Sequence, residues 1–146
     1  MAQGTFTLFE EFSANLGAGV HNFSADSFKV ALVTTLPLAT LATPALGDLT
    51  EVAGTGYTAG GVALTTSYVE AGGVSTFDAS TNPTWTQNGA GPANIVSAVV
   101  YNDTNVGKEL VGFVDMTTDA GATAVSTQNG DITITWNASG LFTITV

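Results

Sequence analysis

Apolar and polar positions along the chain keep two different periods. Near the start, Phe9, Phe12 and Leu16 recur at i, i+3 and i+7, which is one face of a helix, and Gly17-Ala18-Gly19 ends the run. Thr7-Leu8-Phe9-Glu10 has the Thr-x-x-Glu form of a capping box, so a short helix is expected over Thr7 to Leu16. Such a helix either covers an edge or end of a sheet or docks as an arm on a neighbouring subunit. From Phe28 onward the character is that of strands. Phe28 to Thr35 is rich in apolar and β-branched residues, as for a strand with both faces partly covered. Further strands are expected at Val62 to Thr66, Val74 to Phe77, Pro83 to Thr86, Ile95 to Tyr101, Glu109 to Met116 and Thr123 to Ser126. The alternation is clearest at the end: Ile132, Ile134 and Trp136, then Phe142 and Ile144, are interleaved with threonines around the turn residues Asn137-Ala138-Ser139-Gly140. That pattern predicts a terminal hairpin of Asp131 to Trp136 with Leu141 to Val146.

Many short strands at intervals of roughly 8–12 residues, punctuated by glycine, indicate an all-β fold. The expectation is an antiparallel β-sandwich or jelly-roll-like barrel with one short N-terminal helix. It forms a single domain over 1–146, with 1–25 as an N-terminal arm and helix. Between the first strand and Asp48, Pro37 and Pro44 keep Leu36 to Leu46 out of central strands, and this stretch carries no charge. An uncharged loop of that length packs either across its own fold or against another subunit.

Composition narrows the function. The 146 residues hold two basic side chains, Lys29 and Lys108, against twelve acidic ones, for a net charge of -10, with 24 threonines and no cysteine. Two lysines cannot neutralise several phosphates, so nucleic-acid binding is excluded, and a basic-patch contact with anionic lipid fails likewise. Without cysteine there are no disulfides, thiolate metal sites or thiol nucleophiles. The first residues lack a basic n-region and a continuous apolar h-region, so no secretory signal is expected, and no run of about 18 apolar residues marks a membrane span.

Candidate chemistry is sparse. A Ser-His-Asp arrangement would have to use His21, the only histidine, whose surroundings in sequence suit a structural or solvent-facing residue or a pH-sensitive contact. The scattered carboxylates give no support to paired-carboxylate hydrolysis. Asn102-Asp103-Thr104-Asn105 and Asp48-Leu49-Thr50-Glu51 concentrate oxygens that Ca²⁺ accepts, but neither is an EF-hand loop and both fit Asx-turns. The spacing Gly54-x-Gly56-x-x-x-Gly60 departs from a dinucleotide fingerprint and leads into a strand. These residues, with Gly61, are expected to form a structural turn of positive φ and close backbone approach, anchored by Tyr57. No catalytic, cofactor or metal residue is assigned. Asn22-Phe23-Ser24, Asn102-Asp103-Thr104 and Asn137-Ala138-Ser139 match glycosylation acceptors without a secretion signal, and read as turns.

Two blocks carry a resemblance. Lys29-Val30-Ala31-Leu32-Val33 with Leu49-Thr50-Glu51-Val52-Ala53-Gly54-Thr55-Gly56-Tyr57-Thr58-Ala59-Gly60-Gly61-Val62-Ala63-Leu64 resembles a group of small virion structural proteins of tailed bacteriophages. Val99-Val100-Tyr101-Asn102-Asp103-Thr104 with Leu110-Val111-Gly112-Phe113 is similar to a second block of that group, and the likeness spans about Phe6 to Phe113. The resemblance implies a non-enzymatic capsid cement or decoration protein, made in the host cytoplasm and placed on the outer surface of the head shell. Its partners would be the major capsid protein and further copies of itself, a trimer being favoured, with no nucleic acid or membrane. Uncharged segments then suggest interface residues Phe6, Phe9, Phe12, Leu36, Leu38, Leu41 and Leu46. The alternative is a tail, baseplate or host-surface-binding component, in which Trp85, Trp136 and the tyrosines would stack on sugars.

Overall fold

The computed structural model describes residues 3–146. In chain order the elements are β1 (Thr7–Leu8), α1 (Phe12–Gly17), β2 (Phe28–Val33), a single 3-10 turn (Leu46–Asp48), β3 (Val62–Ala63), β4 (Thr66–Ala71), β5 (Val74–Ala79), β6 (Thr84–Trp85), β7 (Ser97–Asn102), β8 (Leu110–Asp115), β9 (Ile132–Thr133) and β10 (Phe142–Thr145). All pairings are antiparallel. They build a five-stranded sheet of order β1-β8-β7-β2-β3, a three-stranded sheet β10-β5-β4 and a two-stranded ribbon β6-β9. The fold is all-β and sandwich-like, with one short helix.

The central strands explain why the large sheet has two cores. Phe28, Val30 and Leu32 of β2 face the smaller sheet, while Ala31 and Val33 face the other way, and all are buried. In the space between sheets, Phe23 stacks on Phe28 with centroids 5.2 Å apart and meets Phe77 at 4.7 Å. Phe12 meets Phe142 edge-on at 4.9 Å. Each fully buried side chain of this size contributes about 1.5–3 kcal/mol by transfer from water. On the opposite face, Phe9, Val99, Tyr101, Leu110 and Phe113 form a second cluster. The uncharged loop lies over it, with Leu36, Ala39, Leu41 and Leu46 packed down and Leu49 following beyond the 3-10 turn. Its apolar character therefore seals its own sheet.

Three local expectations need correction. The helix over Thr7 to Leu16 is confined to Phe12–Gly17; Thr7 and Leu8 instead pair with Phe113 and Gly112, and the helix starts at Glu11 without a side-chain cap. A short isolated helix is marginal, and the exposed edge of β8 offers the chain backbone partners that outweigh a capping box. The expected terminal hairpin does not close: β9 pairs with β6, and β10 pairs with β5. Alternation sets which face is buried, here Ile132, Ile134, Trp136 and Phe142, and leaves the neighbour open. Trp136 is tied to the β6 side, its indole N–H donating to the Thr81 carbonyl at 2.6 Å, while Leu141 N–H donates to Phe77. Thr123 to Ser126 is not a strand; only Val125 bridges Ile95.

Candidate functional site

The glycine-rich string after β2 is a turn built on one carboxylate. The Tyr57 hydroxyl donates to Glu51 Oε2 at 2.7 Å, and Gly60 N–H donates to the same oxygen at 2.8 Å. Leu32 N–H donates back to the Tyr57 oxygen at 3.1 Å, so the phenol continues the β2 ladder where β3 stops. From the other side, the Tyr101 hydroxyl donates to the Gly60 carbonyl at 2.7 Å. Burial pushes the Tyr57 phenol far above its ordinary range, with the neighbouring Glu51 adding to the effect, and burial pushes Tyr101 up to about 12. Gly61, at φ +72, lies so close to β2 that a Cβ would collide with the Val30 carbonyl. The expected structural turn is thus present, with Tyr57 as its anchor.

Both lysines converge on one aspartate. Lys29 Nζ lies 3.0 Å and Lys108 Nζ 2.8 Å from the Asp103 carboxylate, and these contacts, Lys108 first, hold it below its ordinary 3.8. The expected Asx-turn forms here: Asn102 Oδ1 accepts Thr104 N–H at 3.0 Å and Asn105 N–H at 3.4 Å. Beside it His21 is 4% exposed, its ring among Phe23 and Phe28, with Asn102 Nδ2 donating to Nδ1 at 3.4 Å. Burial lowers its pKa from 6.5, against the pull of Glu109 and Asp26. Its Nε2 and Glu109 Oε2 are buried without hydrogen-bond partners among the described residues. Of the roles the sequence left open for His21, burial fits the structural one and not the solvent-facing one, and Phe23 is the neighbour that draws the segment into the core.

The acidity of the chain has a local explanation. Asp26 accepts Asn22 N–H, Asp48 accepts Ala45 N–H, and Glu70 accepts Gly73 N–H. Asp115, Asp119 and Asp131 accept Thr117, Thr123 and Gln87 N–H. All of these but Asp131, which reaches Gln87 across the fold, brace local turns, and Asp48 does so through a residue three positions back rather than the expected Asx-turn. Among the described residues there is no group of three or more His, Asp or Glu side chains able to hold a metal ion. No helix among them is long and apolar enough to cross a membrane.

A half-open cleft of about 500 Å³ lies between Gln3–Phe6 and the segment around Trp136–Thr143. Among the described residues no titratable side chain lines it. Gln3 crosses its rim: its amide donates to the Thr135 carbonyl at 2.9 Å and accepts Thr135 N–H at 3.0 Å. The described walls of the cleft offer hydrogen bonds and apolar contact.

The residues suggested as an interface are dispersed. Phe9, at 2% exposure, and Phe12 are buried in this chain's own cores and present no surface to a partner. Phe6 is half-buried, its ring edge-on to Trp136 at 6.3 Å. Leu36, Leu41 and Leu46 are half-buried over the second core, whereas Leu38 is 74% exposed at the loop's crest. Trp85, Trp136 and Tyr101 are buried and present no ring face to a sugar, while Tyr57, with its hydroxyl tied into the turn, and Tyr68 of β4 are half-buried. No protein-family model, curated protein or solved structure matches the chain.

Proposed function

We propose that this protein is a structural component of a tailed-bacteriophage virion, a cement protein that binds the outer surface of the head shell as a homo-oligomer and braces contacts between units of the major capsid protein. The observation that carries the reading is the use made of the residues behind the resemblance. Glu51, Tyr57, Gly60 and Gly61 lock one turn onto β2, and Tyr101 from the second block closes it. Residues spent on architecture suit a protein whose work is binding and bracing rather than catalysis. A chain that binds the assembled shell more tightly than its free units stabilises the shell by mass action. The net charge of -10, with both lysines engaged at Asp103, would favour a basic patch on the shell.

Locating the chain in purified particles tests the reading. Ordered density, or antibody label, over the head surface is the expected result. Label confined to the tail, or absence of the chain from the particle, would overturn it.

A further inference from the structure

A free sheet edge is a row of unpaired backbone donors and acceptors, and folded proteins normally shorten, charge, bend or cover it. β4 is left undefended. It runs six residues in unbroken register with β5, contains no proline or lysine, and has one charged residue, Glu70. That carboxylate is turned back onto Gly73 N–H at 2.7 Å, and Val69 in the strand's second half is 60% exposed. The two-residue Gly72-Gly73 turn makes Ala71 and Val74 a hydrogen-bonded pair, so Ser67, Val69 and Ala71 address β5. The N–H and C=O groups of Thr66, Tyr68 and Glu70 therefore point outward. Among the described residues no backbone hydrogen bond from outside the sheet reaches them.

We propose that β4 is a self-pairing edge: two copies of this chain join antiparallel along Thr66–Glu70, about a two-fold axis at Tyr68, into one continuous six-stranded sheet. The edge fits its own copy for two reasons. In this register Tyr68 faces Tyr68 and Thr66 faces Glu70 of the second copy, so every outward donor meets an outward acceptor. The two Glu70 residues then stand four positions apart, about 13 Å along the strand. That exceeds the screening length of about 8 Å at physiological salt. A foreign basic strand would find no charge pattern to read, because the single carboxylate is already bonded to Gly73. The assembly is a closed two-fold pair rather than the trimer expected from the resemblance, and the inference does not rest on the virion reading.

Sedimentation equilibrium of the intact chain, with amide exchange read by NMR, tests this. A pairing confined to one strand gives a monomer–dimer equilibrium with Kd above about 1 μM. The net charge makes Kd fall as salt is raised. Exchange at Thr66, Tyr68 and Glu70 slows as concentration passes Kd, while Thr143 and Thr145 on the opposite edge are unaffected. Glu70→Pro removes an outward N–H together with the carboxylate that accepts Gly73 N–H in the turn, and weakens the dimer at least tenfold, whereas Glu70→Gln, which keeps the N–H and an acceptor for Gly73, leaves it intact. If that variant misfolds, the exchange pattern of the unaltered chain decides alone. A monomer up to roughly 1 mM would overturn the proposal. So would a dimer protected elsewhere, or one indifferent to a folded Glu70→Pro chain.

Discussion

The Tyr57 hydroxyl and the Glu51 carboxylate meet at 2.7 Å, and that contact helps fasten the glycine-rich turn to β2 of the large sheet. Glu51 accepts from both Tyr57 and Gly60, and Tyr57 accepts from Leu32 N–H. Tyr57→Phe keeps the ring and removes the hydroxyl, leaving Leu32 N–H without its partner. A loss of about 1–3 kcal/mol is expected by urea denaturation at neutral pH. Glu51→Gln, which retains a carbonyl acceptor, should cost less than Tyr57→Phe. Equal stability of wild type and Tyr57→Phe would show that the link is incidental.

Two glycines of the same turn separate strain from collision. Gly61 and Gly56 both have positive φ, but only Gly61 faces the Val30 carbonyl, while nothing lies near a Cβ at Gly56. Gly56→Ala should cost about 1–2 kcal/mol, the left-handed penalty alone. Gly61→Ala should add an overpacking cost of about 1–3 kcal/mol, because the obstacle is the backbone of β2. Thermal unfolding of the pair measures the difference, and matching midpoints would mean that the turn stands away from the strand.

Acid should weaken the fold in two steps. The folded pKa of His21 lies below 6.5, so the unfolded chain binds more protons and stability falls as pH drops beneath 6.5. Asp103 is also held low, by Lys108 and Lys29, so its contribution is present above 3.8 and is lost as pH falls through its folded value. His21→Gln should flatten the first step and leave the second. As the single histidine, His21 can be followed directly by NMR, and a midpoint at or above 6.5 would refute the burial argument.

At the alkaline end the sign reverses in origin. Burial raises both phenols, Tyr101 to about 12 and Tyr57 further. Their contribution is whole below 10, the ordinary value, and is lost as pH rises through the folded values. Unfolding midpoints should therefore decline only above pH 10, with Tyr101→Phe reducing the decline. A decline that begins near neutrality would place these phenols in water.

What the sequence disclosed follows from the range of each interaction. β2 was legible because Phe28 to Val33 is apolar and β-branched but for Lys29, and the turn because glycine and tyrosine constrain the chain locally. β4 was not, since Thr66–Ala71 is mostly exposed and carries no alternation of strength; only its pairing with β5 makes it a strand. The partner exchange of β9 and β10 depends on Trp136 reaching Thr81 and on Leu141 reaching Phe77, contacts that no local pattern encodes. For the suggested interface, an apolar character common to Phe9, Phe12 and Leu38 hid opposite fates, two in the cores and one at the surface.

That division decides how the uncharged loop should be tested. Deleting Leu38 to Leu46 would strip the cover from Phe9, Val99 and Tyr101, so lost shell binding could reflect a damaged fold. Single substitutions separate the two roles. Leu38→Asp replaces a side chain at the exposed crest and should change stability by no more than about 0.5 kcal/mol. Leu41→Ala removes a half-buried lid residue and should cost about 1–2 kcal/mol. If the crest is the contact with the shell, Leu38→Asp weakens binding to purified heads at least tenfold. Leu41→Ala then binds nearly normally below its unfolding temperature. Unimpaired binding by Leu38→Asp would remove the crest from the interface and direct the search to the sheet edges.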